Sequence, residues 1–193
     1  MISRQQALQI VEKNIPNKNL VKHCLCVEAA MKGIYRYLNP QGDKNTEEKW
    51  GLIGLLHDAD WEVNRDTPHN HTRDTVKWLE ESGENDQEII RTILAHNHHF
   101  NGEPGPENEL EWALYTCDEL TGIIVATALM QPEKKLDSVN VHSVVKKLKT
   151  KSFAAAVDRN QIKLCEEKLG IPLEKFIEII LDSMKNIAPD IGL

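Results

Sequence analysis

Apolar residues recur at helical spacing along most of this chain, and this periodicity limits the folds open to it. One stripe extends from Leu20 to Leu38 and stops before Asn39-Pro40, and another extends from about Asn108 to Met130. Such a 3.6-residue rhythm is typical of amphipathic helices, and no segment alternates with the period of two that marks a strand. The sequence therefore predicts an all-α fold of roughly eight helices that pack ridges into grooves.

Length, charge and cysteine content narrow the class of protein further. The chain has 193 residues, enough for one domain with a full-sized core, and its formal charge of −7 argues against a nucleic-acid polymer as partner. The apolar stretch Ile123–Met130 is too short for a membrane span, and Met1–Gln5 contains no apolar signal core. We therefore expect a cytoplasmic protein without a membrane partner. Its four cysteines form no C-x-x-C pair, and we interpret them as reduced and structural.

The dipeptide His57-Asp58 stands where a predicted apolar helix gives way to a polar turn. Burying an imidazole beside a carboxylate costs free energy unless something neutralises and coordinates both groups, and a metal ion does so. The helix before the doublet contains Gly51 and Gly54, which lower its intrinsic stability by roughly 1 kcal/mol each. A close backbone neighbour would account for these glycines.

Four further residues fall on predicted helices or helix ends, and each could complete a metal site: His23, His71, His96 and Asp118. Asp118 is the strongest single case, because an acid within the most apolar helix is rarely tolerated unpaired. Taken alone, His23 or His71 is more often a partly buried core histidine than a ligand. Together the six side chains offer imidazole nitrogens and carboxylate oxygens, which suit iron, manganese, zinc, cobalt or nickel.

The order of these six residues resembles the pattern of the HD-domain superfamily of metal-dependent phosphohydrolases. That pattern has an early His, a His-Asp doublet at a helix end and a distant Asp, and members with two metals add two His between them. Here the early His would be His23 and the distant Asp would be Asp118. The resemblance covers about Leu20 to Ala128 and implies a compact multi-helix HD fold over residues 1–193. Its metal-site core would occupy about residues 19–130, and residues 131–193 would form a helical extension.

The resemblance also implies the chemistry. His23, His57 and Asp118 would hold one divalent ion, His71 and His96 a second, and Asp58 would be shared as the catalytic carboxylate. Two such ions activate water for attack on phosphorus. With one ion, His71 and His96 would instead orient substrate or move protons. The expected substrate is a small phosphate ester such as a nucleotide, and the enzyme would be a phosphomonoesterase or a phosphodiesterase. A one-metal nucleoside monophosphate phosphatase and a non-catalytic metal-binding or nucleotide-binding module are the alternatives.

Several assignments stay open at this stage. His69, His98 or His99 could replace a chosen histidine, and Glu119 is expected to face solvent. Many relatives carry a lysine shortly after the doublet, whereas this chain has Ala59-Asp60-Trp61, so a phosphate-binding cation is missing there. The substitutes that the sequence offers are Arg73, Lys77, Lys134, Lys135, Lys146, Lys147, Lys149, Lys151 and Arg159. Trp61 and Trp112 could stack a base. The sequence leaves the oligomeric state open.

Overall fold

A computed structural model describes residues 1–193, and the regular secondary structure of the protein is entirely helical. Eleven α-helices and one 3₁₀ turn (Leu136–Ser138) are present, without a strand, which confirms the all-α prediction. The helices are α1 Arg4–Asn14, α2 Lys18–Leu38, α3 Lys44–Leu56, α4 Arg73–Glu81, α5 Gln87–His96, α6 His98–Asn101, α7 Glu109–Leu129, α8 Val141–Leu148, α9 Arg159–Lys168, α10 Leu173–Lys185 and α11 Ala188–Ile191. None of them is long and apolar enough to cross a bilayer.

The helix boundaries follow local capping chemistry, with three departures from the sequence prediction. The sequence Ser3-Arg4-Gln5-Gln6 predicts a capping box, and Ser3 and Gln6 form it at the start of α1. The acids after Thr46 predict this residue as the N-cap of α3, but the helix begins about one turn earlier, because the carboxylate of Asp43 accepts from the backbone N–H of Thr46. The prediction of roughly eight helices is too low, since α6 and α11 are single turns of four residues each. The third departure concerns His71, which precedes α4 rather than lying on it.

Helices α2 and α3 lie in close contact, and Gly54 makes this possible. A Cβ atom at position 54 would lie only 2.7 Å from the carbonyl oxygen of Val27 on α2. At Gly51 the corresponding neighbour is the flexible side chain of Lys32. The predicted close backbone neighbour is therefore confirmed at Gly54, and the approach brings the end of α3 beside the first turns of α2.

A single cluster of 42 buried hydrophobic residues connects the whole chain, from Ile2 before α1 to Ile191 in α11. Helix α10 contributes Phe176, Ile177 and Ile180, all fully buried, and packs mainly on α2. Helix α9 packs on α7. The four cysteines are buried free thiols within this core. The two long helices α2 and α7 thus lie at the centre, and the later helices cover them.

Candidate metal centre

The six side chains predicted as metal ligands converge at one end of the core. His23 extends from α2, His57 and Asp58 directly follow α3, and Asp118 lies in the middle of α7. His71 comes from the turn before α4, and His96 is the last residue of α5. Five elements that are far apart in sequence therefore each supply at least one donor to a common centre.

Asp58 lies between two pairs of histidines. Its Oδ1 is 3.2 Å from Nε2 of His71 and 3.4 Å from Nε2 of His96. Its Oδ2 is 3.5 Å from Nε2 of His57 and 3.7 Å from Nε2 of His23. Each carboxylate oxygen thus faces a different pair of imidazoles, an arrangement that suits a carboxylate shared between two ions.

Asp118 completes the cluster on the α7 side. Its Oδ1 lies 2.9 Å from Nε2 of His23 and 3.5 Å from Nε2 of His57. Its Oδ2 lies 3.8 Å from Nδ1 of His96. The acid inside the apolar helix therefore faces three imidazoles, which explains how this helix tolerates it.

Hydrogen bonds behind the cluster fix the orientation of the rings. Nδ1 of His57 is 2.8 Å from the carbonyl oxygen of Gly54, so this nitrogen carries the proton and donates it. Nδ1 of His71 is 2.7 Å from Oδ1 of Asp60. In both residues Nε2 is left facing the centre, as metal-binding histidines require.

Asp60 is a residue whose role the sequence did not reveal. It is fully buried and, besides contacting His71, accepts from the backbone N–H groups of Thr72 and Thr75. Thr72 has a φ of +77°, a strained value for a β-branched residue, and its N–H is held by Asp60. Asp60 therefore positions His71 and starts α4. An acid two residues after the doublet was the only available signal.

The charged groups of the cluster shift the pKa values of two of its histidines and of Asp58. Burial opposes charge on His57, but the neighbouring Asp58 and Asp118 outweigh it and raise the pKa of His57 to about 9. Burial likewise opposes charge on His71, whose pKa Asp58 and Asp60 raise to about 9. Burial alone would raise the pKa of Asp58, yet the nearby imidazoles hold it well below its ordinary value. Without a metal, the cluster therefore holds protons where cations would bind.

Two observations indicate that these residues fit metal ions. First, the donor atoms form three overlapping groups with all atoms of a group within 4.8 Å of one another: His23–His57–Asp58, Asp58–His71–His96 and His57–His96–Asp118. Second, Nε2 of His57 and Nδ1 of His96 are buried without a hydrogen-bond partner. A buried ring nitrogen without a hydrogen-bond partner is costly, and a metal ion that displaces any proton on it satisfies it. His69, His98 and His99 belong to none of these groups.

A cavity of about 320 Å³ opens onto the cluster. Besides candidate ligands, it is lined by Trp61, Asn97, His99, Phe100, Tyr115, Glu119, Gly122, Val157 and Gln161. Glu119 therefore lies in the cavity wall, contrary to the sequence prediction that it faces solvent. Burial, and secondarily Asp118, raises the pKa of Glu119 to about 7. Trp112 does not line the cavity but packs edge-on against Tyr115.

No lysine or arginine lines this cavity. Arg73 donates to the carbonyl of Asn101 and pairs with Glu103. Arg159 donates to five carbonyl oxygens of the segment from residue 148 to 157, which occupies its guanidinium. The idea that a basic side chain replaces the missing lysine is therefore not supported here.

The region that contains this site matches a known protein family. A family model for the HD domain matches residues 20–139, which include all six candidate ligands. The chain therefore belongs to the HD domain family, whose members are metal-dependent phosphohydrolases. Neither the search of curated proteins nor the search of solved structures returned a match.

Proposed function

We propose that this protein is a hydrolase that cleaves a small phosphate ester, a nucleotide, with two divalent transition-metal ions. The observation that carries the proposal is the position of Asp58, whose two oxygens each face a different pair of imidazoles. In two-metal hydrolases a shared carboxylate of this kind holds the ions together. The two histidines that a one-metal site does not need, His71 and His96, both contact Oδ1 of Asp58.

The roles of the chain's own residues follow from their positions. His23, His57 and Asp118 would hold one ion, His71 and His96 the other, and Asp58 would join both. When bound, such ions supply Lewis acidity that activates water and offsets the charge of the phosphate. Asp60 holds the ring of His71 in place, and the carbonyl of Gly54 does the same for His57. Asn97 connects the two histidine-bearing loops by donating to the carbonyls of Pro68 and His71.

The cavity supports a substrate with one phosphate group and a planar or apolar remainder. Trp61 and Phe100 are exposed aromatic side chains in its wall, at 36% and 64% exposure, and aromatic faces stack on planar bases. Because the wall contains no lysine or arginine, it offers no permanent positive charge to bind further phosphate groups. A nucleoside monophosphate matches both properties and takes precedence over a polyphosphate.

The test is a substrate panel on metal-free protein reloaded separately with iron, manganese, cobalt, nickel or zinc. We expect phosphate release from monophosphate esters with at least one of these metals, and much slower release from nucleoside triphosphates. Asp58→Ala should abolish activity while far-UV circular dichroism stays unchanged, and Asp137→Ala, an exposed acid in the 3₁₀ turn, is the matched control.

Two alternatives give different results. A one-metal enzyme would bind a single equivalent per chain, and His96→Ala would leave that number unchanged. A non-catalytic metal-binding or nucleotide-binding module would bind metal but cleave no member of the panel with any of the five metals. The second result would overturn the proposed function itself.

A further inference from the structure

One histidine that lines the cavity belongs to none of the three groups of candidate metal ligands. His99 lies on the short helix α6, and its Nε2 is 2.8 Å from the hydroxyl oxygen of Tyr115 on α7. Both side chains line the cavity that opens onto the metal cluster. His99 lies three residues after His96, and Tyr115 lies three residues before Asp118. The pair therefore shares the wall of the cavity in which a substrate of the metal centre would bind.

His99 is exposed, but the helix that carries it is held firmly. Before it, Asn97 donates to the carbonyls of Pro68 and His71. After it, Asn101 is buried and donates to Oγ1 of Thr72 and to the carbonyl of Leu94. These bonds fix α6 on both sides, so an exposed ring is presented by a fixed backbone. Such preorganisation is what a group that acts on a substrate requires.

We propose that His99 donates the proton to the leaving-group oxygen of the phosphate ester and that Tyr115 is its positioning residue. The inference rests on the proposed phosphohydrolase function. Three observations support it: the shared cavity wall, the 2.8 Å hydrogen bond and the absence of any lysine or arginine from that wall. An alkoxide leaving group develops negative charge, and where no lysine or arginine is nearby a protonated histidine is suited to neutralise it by giving up its proton.

Hydrolysis exchanges one oxygen on phosphorus for another. Water forms a bond to phosphorus on one side while the bond from phosphorus to the leaving oxygen breaks on the other. The electron pair of the broken bond stays on the leaving oxygen, which takes the proton from Nδ1 of protonated His99. The products are an alcohol and inorganic phosphate, and the neutral imidazole regains a proton from solvent. The hydroxyl of Tyr115 engages Nε2 throughout, so Nδ1 is the ring nitrogen that remains available to donate.

The basicity of the leaving oxygen determines how much protonation accelerates the reaction. An alkyl phosphate such as butyl phosphate releases a strongly basic alkoxide, whereas p-nitrophenyl phosphate releases an anion that is stable without a proton. His99→Ala should therefore lower kcat/KM for butyl phosphate about 100-fold, a typical contribution of a general acid, and change that for p-nitrophenyl phosphate little. Tyr115→Phe should give a smaller loss with the same selectivity. His142→Ala, which removes an exposed histidine of α8 outside the cavity, should change neither substrate.

A binding measurement supplies a readout without turnover. Orthovanadate adopts the five-coordinate geometry of phosphoryl transfer and carries an oxygen at the leaving position. On the manganese-loaded protein, we expect His99→Ala to weaken vanadate binding in calorimetry and to leave inorganic phosphate binding unchanged. Equal affinity of the wild type and His99→Ala for vanadate would count against a contact between His99 and that oxygen.

The other outcomes are equally decisive. Equal losses on both esters in His99→Ala would assign His99 to substrate binding or folding and overturn the inference, as would no loss on either. If Glu119→Gln rather than His99→Ala shows the leaving-group-dependent loss, the proton comes from Glu119 and the assignment of His99 is wrong. If the wild type cleaves no monophosphate ester with any of the five metals, the proposed function fails first, and this inference with it.

Discussion

The hydrogen bond between Asp60 and His71 orients one of the two histidines that face Oδ1 of Asp58. Asp60→Asn keeps the size of the side chain but removes its charge and its second acceptor oxygen. Outer partners of this kind change metal affinity by about 10–100-fold. We therefore expect calorimetry to show weaker binding of one of the two ions. Asp66→Asn, an exposed acid in the same turn, should bind metal normally. Unchanged affinity in Asp60→Asn would contradict the positioning role.

The metal-free cluster should release protons when it binds metal. The pKa values of His57 and His71 are both raised to about 9, so both rings are charged at pH 7.5. A metal ion needs neutral imidazoles, so loading at pH 7.5 should release up to two protons per chain, and loading well above pH 9 should release almost none. Calorimetry in buffers of different ionisation enthalpy counts these protons. An equal proton count at both pH values would contradict the account.

At the residue scale, the sequence predicted the candidate ligands that the fold brings together but not the side chains that orient them. His23, His57 and Asp118 could be found because their residue types and order match a known pattern. Asp60 could not, because its role depends on the turn that folds Thr72 back over its carboxylate. The same holds for His99, whose relation to Tyr115 depends on how α6 lies against α7.

At the level of elements, the close approach of α2 and α3 determines whether His23 meets His57. Gly54→Ala would place a Cβ atom 2.7 Å from the Val27 carbonyl oxygen and push the two helices apart. We expect a loss of about 1–3 kcal/mol in the free energy of unfolding, as for other overpacked cores, together with weaker metal binding. Urea unfolding followed by circular dichroism measures the first effect.

Gly51→Ala is the matched control on the same helix. There the new Cβ would meet the side chain of Lys32, which can move, and alanine stabilises a helix relative to glycine by about 1 kcal/mol. Gly51→Ala should therefore be less destabilising than Gly54→Ala. A similar loss in both variants would mean that backbone contact does not explain Gly54.

Helix periodicity predicted the long elements well and the segment between α3 and α4 poorly. Apolar stripes determined α2 and α7, because these helices bury a continuous face. His71 was assigned to a helix that in fact begins two residues later, at Arg73. The turns before it are held by distant partners such as Asn97, and local sequence carries no signal of such contacts.

At the scale of the whole molecule, the buried cluster joins the HD-matching region to the helices after it. Because α10 buries Phe176, Ile177 and Ile180 against the core, residues 1–130 alone would expose an apolar surface. We predict that this fragment shows no cooperative thermal transition, whereas the full chain unfolds in one. A fragment that folds and binds metal would contradict the prediction of a single domain over residues 1–193.

The most direct test of the central claim is phosphate release as manganese is added stepwise to the metal-free protein. With a monophosphate ester as substrate, the account predicts that the rate of the wild type rises until two equivalents per chain are bound and then levels off. Asp58→Ala should stay inactive throughout the titration, because it lacks the carboxylate that both ions share. A wild-type rate that is unaffected by metal, or an Asp58→Ala variant that matches the wild type, would contradict the account.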